Sequence, residues 1–161
     1  MKSIRPAEEN DILPIATIES LCFPKAEAAS LASFRARFEQ FPECFYVIEL
    51  DGKVVGHING CRYHQPALPD ELFENASLHN PEGVFQTVFG LAIEPSSQRQ
   101  GLARLLLDHF ILEAREKKLH GVFLTCKHHL IHFYEKSGVV CLGESESAHG
   151  GAKWFDMLLT F

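Results

Sequence analysis

Apolar residues recur along this chain with two periods, and the switches between them mark its elements. Ser3 to Pro6 predicts a short first strand, closed by the proline. Ile12, Ile15, Ala16, Ile18 and Leu21 then fall at helical spacing, behind the acids and caps of Glu8 to Asp11. Pro14 suits the first turn of that helix, where no N–H is missed, and Phe23-Pro24 ends it. Ser30 is placed to cap a second helix, with Leu31, Phe34 and Phe38 inward and Arg35, Arg37 and Glu39 outward. Gln40-Phe41-Pro42 ends that one. Cys44 to Leu50 and Lys53 to Tyr63 read as strands, joined by the two-residue hairpin signal Asp51-Gly52.

Residues His64 to Glu82 are polar and carry Pro66, Pro69 and Pro81. A loop this long in a compact domain is usually functional or mobile. It is expected to hold a short helix near Asp70 to Asn75, to help form a substrate site and to change order when substrate binds. Val84 to Ile93 is a strand rich in Val, Phe and Ile, with Phe85, Thr87, Phe89, Leu91 and Ile93 sharing one face. Gly90 inside it suggests a bulge or a close backbone approach. After Pro95 a polar turn leads to Gly101, which opens a helix from about Gln100 to Lys117. Leu102, Leu105, Leu106, Phe110 and Ala114 form its apolar side. Arg104–Asp108 and Glu113–Lys117 are opposite charges four apart, and Gly121 is placed to stop it. Gly121 to Cys126 is the next strand, which implies a parallel crossover. His129 to Lys136 forms a short helix closed by Ser137-Gly138, and Val139 to Glu144 and Lys153 to Phe161 are the last strands. The expected fold is one α/β domain over residues 1–161: a mixed, mostly antiparallel sheet with a central parallel strand pair, flanked by helices.

A strand, a glycine-containing turn and a helix N-terminus together make an anion site. The first helical N–H groups have no partner within the helix, and the dipole adds partial positive charge. The turn is not a Walker loop, since no Gly-Lys-Ser/Thr follows, nor is it Gly-x-Gly-x-x-Gly. Gln98-x-x-Gly101-x-Ala103 resembles the acetyl-CoA signature of GNAT-superfamily acetyltransferases, Gln/Arg-x-x-Gly-x-Gly/Ala. The element order matches that fold throughout the chain. The resemblance implies acetyl-CoA as cosubstrate, its pyrophosphate held by the turn Gln98, Arg99, Gln100, Gly101, Leu102, Ala103 and Arg104. It implies that Leu91, Ala92 and Ile93 pair with the pantetheine arm. Within the superfamily the chain is most similar to the arylalkylamine, serotonin-acetylating group, in Phe133-Tyr134-Glu135, Thr125-Cys126, Leu91-Ala92-Ile93 and Phe41-Pro42-Glu43.

Direct N-acetyl transfer needs loss of an amine proton, donors for the developing oxyanion and a proton for the departing thiolate. The resemblance implies Tyr134 as the general acid on the CoA sulfur, whereas without it Tyr134 reads as a packing tyrosine. Aligned with the vertebrate serotonin-acetylating enzymes, Thr87 and Phe89 replace the two expected histidines. The base therefore stays open among His57, His79, Glu82 and a water chain held by Gln86 and Thr87. Of nine histidines, His128 and His132 stand four apart, but no His-Glu-x-x-His accompanies them, so no metal is expected.

The 161 residues, 46% hydrophobic and 22% charged, suit a globular domain with a sizeable core. No apolar run approaches the ~20 residues of a membrane helix, and Met1 to Pro6 lacks a signal peptide's apolar core. A cytoplasmic location follows as an expectation, with five scattered cysteines as reduced, buried thiols. Net charge is −6 with no Lys/Arg cluster, so no nucleic-acid partner is expected, and an acidic surface is compatible with a cationic substrate. The leading expectation is transfer of acetyl to a small primary amine by a monomer or homodimer. Acetylation of peptide N-termini and a silent acyl-CoA-binding module are the alternatives.

Overall fold

The computed structural model describes residues Met1 to Phe161. Strand β1 (Lys2–Pro6) pairs antiparallel with β2 (Phe45–Leu50), and β2 with β3 (Lys53–Asn59). Between β2 and β3, Asp51 (φ 50°) and Gly52 (φ 83°) supply the two positive φ values of a tight hairpin turn. The chain then leaves this sheet. β4 (Arg62–Tyr63) pairs with β5 (Phe85–Val88) in a second sheet, while β6 (Gly90–Ile93) returns to pair with β3. β7 (Gly121–Cys126) runs parallel to β5, and β9 (Phe155–Thr160) pairs antiparallel with both β7 and β8 (Val140–Glu144). The strand orders are β1-β2-β3-β6 and β4-β5-β7-β9-β8.

Two predicted strands are thus broken at facing positions, one at Gly60-Cys61 and the other at Phe89. Gly60 is required there: a Cβ on it would fall 1.9 Å from the carbonyl oxygen of Thr87. Donors at the bend close back on the same turn. Thr87 N–H reaches Cys61 O (2.9 Å), and Phe89 N–H reaches Asn59 O (2.7 Å). The expected single face through Phe85, Thr87, Phe89, Leu91 and Ile93 therefore does not exist, because Phe89 belongs to neither ladder.

Helix α4 (Leu102–Glu116) covers one face, burying Leu102, Leu106, Leu107 and Phe110 against Ile48, Ile58, Val122 and Met157. Helices α1 (Ile12–Cys22) and α2 (Leu31–Gln40) cover the other, with Ile12, Ile15 and Phe34 against Phe45, Val47 and Phe123. Short helices α3 (Glu71–Glu74) and α5 (Ile131–Glu135) complete the set. No helix is long and apolar enough to cross a membrane. All five cysteines are free; Cys44, Cys61 and Cys126 are buried, while Cys22 and Cys141 are half-buried.

Several inward and outward assignments change. Leu21 and Leu105 are exposed, while Arg37, expected outward, is buried. Arg37 stacks over Phe89 (4.6 Å) and Phe34 (5.4 Å), and its Nη2 donates to Phe73 O at 3.2 Å. Gly121 does not stop α4. The left-handed residue beyond the helix is Lys118 (φ 61°), and Gly121 sits in β7, where a Cβ would be 2.1 Å from Leu159 O.

Candidate active site

Once the chain bends at Phe89, β6 and β7 part. β6 is the last strand of the first sheet, so one of its edges is unpaired. Glu94 N–H points to β3, donating to Val55 O at 2.7 Å, so alternation turns the backbone groups of Leu91 and Ile93 to the free edge and those of Ala92 away. A cavity of about 560 Å³ opens there. Its walls are Leu91, Ala92 and Ile93 on one side and His129, Leu130, Phe133 and Tyr134 on the other. Gln98, Arg99, Gly101, Leu102, Ala103 and Arg104 close one end, while Gln100, expected in the same set, is exposed and does not line it.

The backbone of that turn is set by Arg99 (φ 65°) and Gly101 (φ 79°). The N–H groups of Arg99 through Arg104 donate to no carbonyl of the protein. Six adjacent amides at the start of a fifteen-residue helix fit a pyrophosphate, with dipole and donors pointing the same way. Arg104 does not pair directly with Asp108 as expected. Its guanidinium donates to Phe133 O (2.6 Å) and to Ser137 Oγ, which in turn donates to Asp108 Oδ1 at 2.8 Å. It thereby ties α4 to α5 and holds the helix that carries Tyr134.

A second, smaller cavity of about 80 Å³ lies deeper, lined by Glu19, Phe23, Glu27, Phe73, Phe89, Gly90, Thr125, Cys126, His149 and Trp154 among others. Phe23, Leu91, Leu130 and Tyr134 line both cavities. Tyr134 is buried, and that burial raises its phenol above the ordinary range, so the hydroxyl keeps its proton at neutral pH. Burial likewise pushes the neighbouring Cys126 thiol up to about 12, which leaves it a protonated wall residue.

The open candidates for the base fare differently. Glu82 is exposed and lines neither cavity. His79 is buried elsewhere, accepting from Arg62 N–H at 3.0 Å and lying against Phe41; burial lowers its pKa. Gln86 and Thr87 commit their side-chain donors to the bend, to Gly60 O (2.8 Å) and Cys61 O (2.8 Å), and neither lines the outer or the inner cavity. His57 is fully buried and lines no cavity, but its Nε2 stands 3.3 Å from Oε1 of Glu19, which does. Of the loop His64 to Glu82, only Phe73 reaches the inner cavity. His128 lies edge-on to Phe155 in a 3-10 turn and His132 is exposed beside Glu135, so the two do not share a helix.

Sequence reasoning missed Glu19, Glu27, His149 and Trp154. One signal was present: Glu19 sits seven residues after Ile12 on the same apolar face of α1, where a carboxylate needs a reason.

Residues 12–139 match the model of the Acetyltransferase (GNAT) family, and the chain belongs to that family. Among solved structures, it superposes on the loading GNATL domain of CurA from Lyngbya majuscula at a TM-score of 0.84, with 16% identity over 99% of this chain and 98% of that one. The GphF GNAT-like decarboxylase in complex with isobutyryl-CoA also gives 0.84, at 20% identity over 98% of both chains. The ribosomal-protein-S18-alanine N-acetyltransferase from Escherichia coli gives 0.73, at 21% identity over 99% and 94%. In sequence, the chain is 26% identical over 120 residues to the "Probable hydrolase YhcX" of Bacillus subtilis, spanning 70% of this chain and only 22% of that protein. These likenesses speak for the fold and give no support to the narrower arylalkylamine group.

Proposed function

We propose that this protein is an acetyl-CoA-dependent N-acetyltransferase that acts on a primary amine of a small molecule by direct transfer. The observation that carries this reading is that Tyr134 and Leu91 border both cavities, so a thioester in one and an amine in the other would meet beside them. The amides of Arg99 to Arg104 would hold the pyrophosphate, and the free edge of β6 at Leu91 and at the N–H of Ile93, whose carbonyl Gln98 and Cys22 already occupy, would pair with the pantetheine arm. Tyr134, protonated at neutral pH, donates to the departing sulfur. Holding donor and acceptor side by side removes the need for a covalent intermediate. The Glu19 carboxylate disfavours an acyl group that itself carries a carboxylate, which supports this reading over decarboxylation of such an acyl-CoA.

The test is thiol release from acetyl-CoA across a panel of primary amines, with an alanyl tripeptide as one comparison and carbon dioxide release from malonyl-CoA as the other. Amine-dependent release from acetyl-CoA is expected. Thiol release confined to the tripeptide, or carbon dioxide release from malonyl-CoA with no amine-dependent thiol release from acetyl-CoA, overturns the assignment.

A further inference from the structure

The inner cavity contains a buried carboxylate, Glu19, that the fold leaves one hydrogen bond short, although the buried Arg37 guanidinium lies near it and Glu27 beside it is already ion-paired with Lys127. Glu19 is 5% exposed, and its Oε2 accepts from Ala29 N–H at 3.1 Å. Its Oε1 has no hydrogen bond: His57 Nε2 is 3.3 Å away, outside hydrogen-bond geometry, and that nitrogen is unpartnered too. Glu27 Oε1 is ion-paired with Lys127 Nζ at 2.8 Å, likewise without hydrogen-bond geometry. A buried carboxylate oxygen without a donor is unfavourable, and the groups that relieve it are cationic N–H donors. Gly90 keeps the approach open: even a Cβ there would stand 3.4 Å from Glu19 Oε1.

The remaining walls set the size and shape of the occupant. Phe23, Phe73, Phe89 and Trp154 present apolar rings, a setting that suits an alkyl body behind a cation. The segment between β8 and β9 closes the outer side. His149 Nε2 lies 3.1 Å from Glu27 O, Trp154 Nε1 donates to His149 O (2.8 Å), and Ala148 N–H donates to Asp70 Oδ2 (3.1 Å). His149 also stacks on Phe73 at 4.8 Å. About 80 Å³ holds on the order of six water-sized groups, which suits a compact amine, and Glu19, Glu27, Phe73, Phe89 and His149 also border an adjoining cavity of about 320 Å³.

Resting on the acetyl-transfer reading above, we propose that this cavity binds a compact primary alkylammonium ion on the carboxylates of Glu19 and Glu27, and that Glu19 takes its proton. One ammonium proton passes to Glu19. The nitrogen then bonds to the acetyl carbon as that carbon's bond to sulfur breaks. Tyr134 gives its proton to the sulfur and recovers one from the nitrogen, leaving amide, free thiol and one proton on Glu19 for solvent.

The test separates the site from the reaction. Binding of n-butylammonium is measured by calorimetry with CoA present, against 1-butanol as the neutral match and against the variants Glu19→Gln and Glu27→Gln. Butylammonium should bind at least ~10-fold tighter than butanol, a size set by charge-assisted hydrogen bonds, and each variant should lose most of that margin with an unshifted melting temperature. Equal binding of butanol, or variants that bind the cation like wild type, overturns the proposal. Variants that unfold leave the butanol comparison to decide. If butylammonium binds through Glu19 but acetyl-CoA is never consumed, the acetyl-transfer reading fails and the ammonium site stands.

Discussion

Gln98 Nε2 donates to the carbonyl of Ile93 across 2.9 Å, fastening the turn that opens α4 to the end of β6. The two walls of the outer cavity that are proposed to hold the cofactor are thereby set relative to each other by one side chain. Gln98→Ala removes a bond worth about 0.5–1.5 kcal/mol net. The expected outcome is a ~2- to 10-fold weaker acetyl-CoA dissociation constant by calorimetry, with little change in melting temperature because the side chain is exposed. Unchanged affinity would mean that the turn holds its shape without Gln98.

Two glycines separate cofactor binding from folding. Gly101 has φ 79° and open space around the position of a Cβ. Gly101→Glu should fold, at a backbone cost of roughly 1–2 kcal/mol, yet lose acetyl-CoA affinity by ~10²-fold or more through the charge set against the phosphates. Gly121→Ala instead places a Cβ 2.1 Å from Leu159 O and should lower the melting temperature far more. Whatever Gly121→Ala protein remains folded should bind acetyl-CoA like wild type. A reversed pattern would put the anion site elsewhere.

Asp11 anchors α1 to β1. It accepts from Arg5 Nη1 (2.7 Å) and Nη2 (3.0 Å) and from Glu8 N–H (2.7 Å). Burial pushes its carboxyl up, but Arg5 and the Glu8 amide outweigh that and leave it below the usual carboxylate value. A folded-state value below the unfolded one gives stability that is present above about pH 4 and is lost as pH falls through the folded value. Asp11→Asn should cost about 1–3 kcal/mol at pH 7 in urea unfolding, and its stability should fall less steeply than wild type in acid. Parallel acid profiles would contradict this assignment.

The fold was legible wherever a local signal decides: the Asp51-Gly52 hairpin, the Ser30 cap (Ser33 N–H to Ser30 Oγ, 3.1 Å) and the strand-turn-helix around Gly101. It was illegible where distant backbone decides. Gly60 and Gly121 exist because Thr87 and Leu159 pass close by, and nothing local to either glycine says so. The sheet splits at Phe89 although the strand pattern runs on unbroken. Arg37 reads as an exposed helix charge and is buried because Phe34, Phe73 and Phe89 surround it. Of the outer cavity's lining, the stretch from Leu91 to Arg104 carries a local signal, whereas Cys22, Phe23, His129, Leu130 and Phe133 reach it from elsewhere in the chain and were not singled out for it. The inner cavity's wall, with Glu19, Glu27, Phe73, His149 and Trp154, comes from three separate parts of the chain.

The most direct test of the central claim is the single-turnover rate of acetyl transfer by Tyr134→Phe, beside its acetyl-CoA dissociation constant and melting temperature. The substitution keeps the ring against the core and removes only the hydroxyl. A group that donates to the leaving sulfur acts more strongly in the transition state than in the ground state. The rate should therefore fall by ~10²-fold while affinity and stability hold. A wild-type rate, or a joint loss of stability and cofactor binding, would show instead that Tyr134 only packs.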